Sequence, residues 1–170
     1  MDFKNKIRLI KDFPQKGVQF KDITTLLKDG EAYQAAINEM VENLRELHID
    51  LIAGPEARGF VVGAPLAYAL GVGFVPVRKA GKLPAEVVET TYSLEYGENA
   101  LAIHRDAIEA GQRVLVADDL LATGGTVSAT IDLVKQLGGE VVGTSFFIEL
   151  TYLNGREKLQ DFPIYTLVQY

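Results

Sequence analysis

Val114-Leu-Val-Ala-Asp118-Asp119-Leu-Leu-Ala-Thr123-Gly124-Gly125-Thr126 reads as a buried strand, an acidic pair, and a glycine-rich turn entering a helix. The strand over residues 113–117 is continuously apolar after Arg113, as expected of a strand covered on both faces. Val127, Ile131, Val134 and Leu137 then recur at helical spacing, and Gly138-Gly139 stops the helix. The turn suits an anion. Gly124 and Gly125 let the backbone approach a ligand closely, and the first N–H groups of the following helix lack internal partners. Ala122 lies at the start of the turn, and Thr123 and Thr126 add hydroxyl donors. Asp118 and Asp119 are unsuited to phosphate, since like charges repel, but they suit a pair of sugar hydroxyls that need acceptors. The segment therefore matches a sugar carrying a phosphate on one side and a cis-diol on the other. A glycine-rich turn alone is often just a turn; two aspartates following a buried strand are harder to explain that way.

Outward from this stretch, strands and helices alternate. Residues 30–47 carry Tyr33, Ile37, Met40, Val41, Leu44 and Leu47 on one face of an amphipathic helix. Residues 50–53 form a short strand, residues 60–70 a helix containing Pro65, and residues 73–77 another strand. Residues 87–92 and 100–104 form the arms of a hairpin around Glu95-Tyr96-Gly97. Residues 141–150 and 164–168 complete the strands. This pattern predicts an α/β fold with a mainly parallel sheet flanked by helices. Ligands bind such sheets beyond the carboxyl ends of the strands. Three loops lie there: residues 54–59, 78–84 and 118–126.

The chain has 170 residues, which predicts one domain. It has no cysteine, so disulfides and cysteine-based zinc sites are excluded. The charged N-terminal stretch Met1-Asp-Phe-Lys-Asn-Lys-Ile-Arg8 does not read as a signal peptide, and no apolar run approaches the ~20 residues of a membrane helix. A cytoplasmic protein with no membrane partner is expected. Net charge is −6, which argues against nucleic acid as a partner but leaves anionic small molecules open. Neither competing phosphate signature is present: there is no G-x-x-x-x-G-K-[ST], and Gly71-Val-Gly73 is not completed by a glycine at position 76. Arg78, Lys79 and Lys82 form a dense basic cluster framed by Gly81 and Pro84. His48 and His104 lack partners at metal-ligand spacing and read as structural or exposed.

The Val114–Thr126 stretch resembles the signature of the type I phosphoribosyltransferases, and the likeness covers nearly the whole chain. Phe13-Pro14, Gly17-Val18 and Phe20-Lys21-Asp22-Ile23 resemble the N-terminal base-binding segment of the adenine-specific members. Glu56-Ala57-Arg58-Gly59-Phe60 resembles their pyrophosphate loop. Arg78-Lys79-Ala80-Gly81-Lys82-Leu83-Pro84 and Tyr92-Ser-Leu-Glu95-Tyr96-Gly97 resemble their mobile catalytic loop. Glu149-Leu150-Thr151, Gly155-Arg156-Glu157-Lys158-Leu159 and Gln169-Tyr170 also fit. Glu56 stands where some relatives carry aspartate.

The resemblance implies the type I phosphoribosyltransferase fold, with a base-binding hood over residues 1–30 and a mobile loop over residues 79–104. It implies purine salvage: adenine and phosphoribosyl pyrophosphate give AMP and pyrophosphate, with Mg2+ brought by the substrate and no metal ligand from the protein. Asp118 and Asp119 would hold the ribose, and residues 122–126 the 5′-phosphate. Glu56, Ala57, Arg58, Arg78, Lys79 and Lys82 would hold pyrophosphate, Arg58 acting also in catalysis. A strained peptide between Glu56 and Ala57 would turn N–H groups to the pyrophosphate. Val18, Phe20, Lys21 and Leu150 would hold adenine, and Glu95 would be the catalytic acid. A homodimer is implied, Arg78 reaching across to the neighbouring site. Two alternatives remain: a phosphoribosyltransferase for orotate or an oxopurine, and a regulator that senses phosphoribosyl pyrophosphate.

Overall fold

The computed structural model describes residues 1–93 and 98–170, with the side chains of residues 93 and 98 left out as well. A two-stranded antiparallel sheet opens the chain, from β1 (Arg8–Lys11) and β2 (Gln19–Asp22). Helices α1 (Thr24–Leu27) and α2 (Gly30–Leu44) follow, then β3 (Leu51–Pro55), α3 (Arg58–Leu70) and β4 (Gly73–Lys79). The hairpin is β5 (Val87–Ser93) and β6 (Glu98–His104). The remainder is β7 (Arg113–Leu121), α4 (Gly125–Gln136), β8 (Glu140–Glu149) and β9 (Ile164–Gln169).

The main sheet has the order β5-β6-β4-β3-β7-β8-β9. Strands β4, β3, β7, β8 and β9 run parallel, and the hairpin joins antiparallel at the β4 edge. The sheet is thus mainly parallel and covered by helices, as the alternation of elements predicts. Strand pleating sends neighbouring residues to opposite faces. Leu115, Ala117 and Phe147 pack with α2 and α3, whereas Val114, Val116 and Phe146 pack with α4. Both faces are buried, which is why residues 114–117 are apolar without interruption.

Local chemistry explains the elements. Asp29 caps α2, its carboxylate accepting from the Ala32 N–H at 3.1 Å. Pro65 sits inside α3 and has no N–H to give the carbonyl of Val61. That carbonyl is not left unpaired, because the Tyr33 hydroxyl of α2 donates to it. Beyond β8, the buried Glu149 carboxylate accepts from Arg156, through Nε and, at 2.7 Å, Nη2, and from the Gln169 amide at 2.9 Å. This network ties β8, β9 and the 3-10 turn Gly155–Leu159 together.

Arg156→Met should destabilise the protein by about 2–4 kcal/mol, because it strands a buried carboxylate, with Arg156's own partial exposure reducing the cost. Arg156 holds the Glu149 carboxyl below its ordinary range. The stabilisation is therefore present above the unfolded value and is lost as pH falls through the lower folded one. Denaturant midpoints of parent and variant should differ at pH 7 and converge below about pH 4.

Candidate active site

Strand β7 continues four residues past the expected end at Ala117, because its pairing with β8 runs on to Leu121 opposite Glu149. Asp118 and Asp119 therefore lie on the strand rather than in the loop that follows. Asp119 is buried and Asp118 half-buried. The Asp118 carboxylate accepts from the N–H of Asp119 at 2.8 Å, and Arg58 Nε lies 3.2 Å from Asp119 Oδ2. Gly59 permits the approach of α3: a Cβ there would stand 2.8 Å from Pro55 Cδ and 3.1 Å from Asp118 Oδ1. Burial pushes the Asp118 carboxyl well above its usual range, and the charge of Asp119 adds to that. Burial raises Asp119 too, with Arg58 opposing.

Gly124 takes φ +79° as the chain turns into α4. The helix's regular bonding begins at Ser128, whose N–H reaches the Gly124 carbonyl at 2.9 Å, so the preceding N–H groups face the turn. The turn is braced from behind. A Cβ at Gly155 would lie 2.3 Å from the Ala122 carbonyl oxygen, and one at Gly124 would lie 2.8 Å from that of Gly155. A cavity of about 540 Å3 opens over these groups, lined by Arg58, Tyr92, Asp118, Asp119, Leu120 and Leu121 as well as residues 122–127 and Leu153. A cleft of about 560 Å3 lies elsewhere, lined by Met1–Lys4, Glu39 and residues 166–169, and contains none of the expected site residues. The first cavity joins the acidic pair to the anion turn and is the candidate site.

The phosphoribosyl transferase domain model matches residues 24–169. A curated adenine phosphoribosyltransferase of Brevibacillus brevis is 66% identical over the full length of both chains. The chain belongs to the adenine phosphoribosyltransferase family. The crystal structure of a member from Thermoanaerobacter pseudethanolicus superposes with a TM-score of 0.97 at 55% identity, covering 99% of this chain and 98% of that one. The Saccharomyces cerevisiae member, complexed with adenine and an imino-altritol bisphosphate, gives 0.92 at 42%, covering 98% and 96%.

Against the expectations for an adenine phosphoribosyltransferase, the structure gathers Asp118, Asp119, Ala122, Thr123, Gly124, Gly125, Thr126 and Arg58 around one cavity. The 56–57 peptide is cis, as is Phe13-Pro14. The Glu56 carboxylate accepts from the Lys79 N–H at 2.7 Å and faces Arg78 Nε at 3.3 Å, a separation at which the Arg78 N–H is not aligned for a hydrogen bond. The Lys79 N–H and the Arg78 charge hold the Glu56 carboxyl below its usual range. Arg78 also donates to the Lys82 carbonyl at 3.2 Å. The residue 54–59 and 78–84 loops are thus joined, though Glu56, Ala57, Arg78, Lys79 and Lys82 do not line the cavity.

Phe20 and Leu150 flank its rim rather than line it. The Arg58 guanidinium lies 5.8 Å from the Phe20 ring centre, and Leu150 donates its N–H to the carbonyl of Leu121. Phe13 stacks edge-on against Phe20 at 5.2 Å, and Val18 donates and accepts within the same bend. The Lys21 ammonium sits 4.2 Å from the ring centre of Tyr170, and burial lowers its pKa. Glu95 lies outside the described residues. His48 is exposed, and His104 accepts from the Ala85 N–H at 3.4 Å. Among the described residues no three His, Asp or Glu side chains converge. Tyr92, Leu120 and Leu153 also line the cavity, although nothing in the sequence pattern assigns them a role there. The stretch Tyr92–Gly97 is the one signal that bears on Tyr92.

Because burial raises the Asp118 carboxyl, its ionised form costs stability at neutral pH, and the cost disappears as pH falls below the unfolded value. Asp118→Asn should therefore raise the melting temperature at pH 8, by about 2–4 °C for each kcal/mol recovered. Melting curves at pH 8 and pH 4 check this: the gain should be present at the first and nearly absent at the second.

Proposed function

We infer that the chain transfers the 5-phosphoribosyl group of phosphoribosyl pyrophosphate to N9 of adenine, releasing pyrophosphate and giving AMP. The observation that carries this is the single cavity holding an acidic pair and a phosphate-type turn, in a chain 66% identical to a curated adenine phosphoribosyltransferase. The yeast relative's bound adenine and bisphosphate match the two halves of such a site in kind.

The roles follow from charge. Asp118 and Asp119 accept the ribose hydroxyls, and their negative charge faces a sugar that becomes cationic as the bond to pyrophosphate lengthens. The N–H groups and hydroxyls of residues 122–126 hold the 5′-phosphate. Arg58, half exposed beside Asp119, offers its remaining N–H donors to pyrophosphate. Ala57 contributes backbone, and Glu56 fixes the corner that carries Arg78, Lys79 and Lys82. Phe20 and Leu150 enclose the base, whose edge meets backbone near Val18 and Lys21. The Glu95 carboxyl faces adenine N7: it takes the ring proton there as N9 bonds to C1′ and pyrophosphate leaves, and gives it back as the acid of the reverse reaction. The hairpin that carries it keeps water from the activated sugar.

The oxygen donors around the cavity, two carboxylates and two threonine hydroxyls with no thiol or imidazole, suit magnesium. Magnesium bound there with the substrate would neutralise charge on the leaving pyrophosphate, with Asp118 and Asp119 as the nearest protein oxygens. The reading carries with it a cytoplasmic location, because charged phosphoribosyl donors do not cross a bilayer unaided. It also carries a homodimer in which Arg78 serves the partner's site.

A panel of adenine, hypoxanthine, guanine, xanthine and orotate with phosphoribosyl pyrophosphate and magnesium tests the base. Adenine alone should be consumed rapidly, with stoichiometric AMP; rapid turnover of another base with adenine inert would reassign the enzyme. Mixing Arg58→Ala and Arg78→Ala subunits tests the sharing of sites. Random hybrids retain one intact site in half the dimers, so activity should return to roughly a quarter of the parent's. No recovery, with hybrids verified by mass, would place Arg78 in its own subunit's site.

A further inference from the structure

Tyr92 is the one residue lining the cavity that comes from the hairpin, among the described residues. Its ring lies over the anion turn: a Cβ at Gly125 would be 3.6 Å from Tyr92 Cδ2. The Thr126 hydroxyl donates to Tyr92 Oη at 3.4 Å. A contact this long commits neither proton, and hydroxyls rotate freely, so the phenol can turn its own proton to another acceptor in the cavity.

The cavity's charge says what that acceptor is. Its lining brings two carboxylates and one cation, and the cation, Arg58, lies 3.2 Å from Asp119. A phosphate group entering here gains little from side-chain charge and depends on neutral donors. The turn supplies backbone N–H groups and the hydroxyls of Thr123 and Thr126. The phenol stands beside the same turn, next to Gly125 and Thr126 at the start of α4.

We propose that the Tyr92 hydroxyl is a direct ligand of the ribose 5′-phosphate, closing the open side of the cradle from the hairpin. The role rests on the proposed function and adds to it. One hydrogen bond then links the phosphate site to β5, and β5 leads directly into the stretch that contains Glu95.

The experiment compares AMP with adenosine, which differ by the phosphate alone, using calorimetry on the full-length parent, Tyr92→Phe and Tyr92→Leu. Tyr92→Phe keeps the ring and deletes only the hydroxyl. It should weaken AMP and ribose 5-phosphate by about tenfold or more, as for a hydrogen bond to a charged group. Adenosine affinity and melting temperature should stay within twofold and within a degree or so. Tyr92→Leu should lose at least as much for AMP. In turnover, Tyr92→Phe should raise KM for phosphoribosyl pyrophosphate and leave KM for adenine near the parent's. Equal AMP affinity in parent and Tyr92→Phe overturns the inference, as does an equal loss for AMP and adenosine, which would mark a structural role. A parent that binds neither AMP nor ribose 5-phosphate overturns the proposed function itself, and this inference with it.

Discussion

Asp118 and Asp119 stand at the end of a strand whose preceding residues, Val114 to Ala117, are wholly removed from solvent, and the surrounding elements are arranged around these two anions. A buried carboxylate is costly unless paired or neutralised. Arg58, at the start of α3, answers one charge, and the approach of that helix depends on the missing side chain at Gly59. Among the described residues the other has no cation of its own. That is poor design for stability and good design for a ligand with a diol and a developing positive charge. The acceptors are held on a fixed strand, so little protein reorganisation remains when the sugar arrives.

A second constraint acts behind the site. The turn at residues 122–125 and the turn at Gly155 meet backbone to backbone, with no room for a side chain between them. Backbone contact is rigid in a way that side-chain packing is not, since no rotamer change relieves it. Its position is set by Arg156, which is locked to Glu149, and Glu149 lies opposite Leu121 on the strand that feeds the turn. The cradle is therefore clamped between two parts of one network. Leu150, next to Glu149 and at the rim of the cavity, inherits the same fixed position.

The sheet and its helices are legible in the sequence because burial on both faces writes itself as uninterrupted apolar runs. Where polarity intervenes, the reading stops early. Strand β7 reads as ending at Ala117 because hydrophobicity fails at Asp118, yet the ladder with β8 runs on to Leu121. Helix α3 begins at Arg58, two residues before the expected start, and α2 gives way to a 3-10 turn, Arg45–Leu47, over its expected last residues. Strands β1 and β2 leave no such mark: four residues each, mixing charged and apolar side chains, with Lys21 and Asp22 as their buried residues, they are tied by Arg8 on Asp22 rather than by a pattern. In the site, the anion turn and acidic pair are visible because adjacent glycines and adjacent aspartates at the end of a buried strand contribute nothing to packing. Tyr92 is not, because its place depends on how a hairpin folds against a helix distant in sequence.

Charge accounts for the last feature. The chain carries a net −6, yet its inferred donor substrate is itself a polyanion. Net charge governs long-range steering, and that is screened within about 10 Å at ordinary salt. Inside the cavity the relevant fields are local. Unpartnered N–H groups at the start of α4 present partial positive charge at hydrogen-bond distance. Arg78 and Lys79 are concentrated at the end of β4, where Glu56 fixes their backbone without entering the cavity. Negative charge elsewhere does not reach these groups with comparable strength. It acts on long polyanions at a distance, whereas a small anion that fits among the donors meets mainly their local field. An acidic surface and an anion site are thus compatible because they act at different distances.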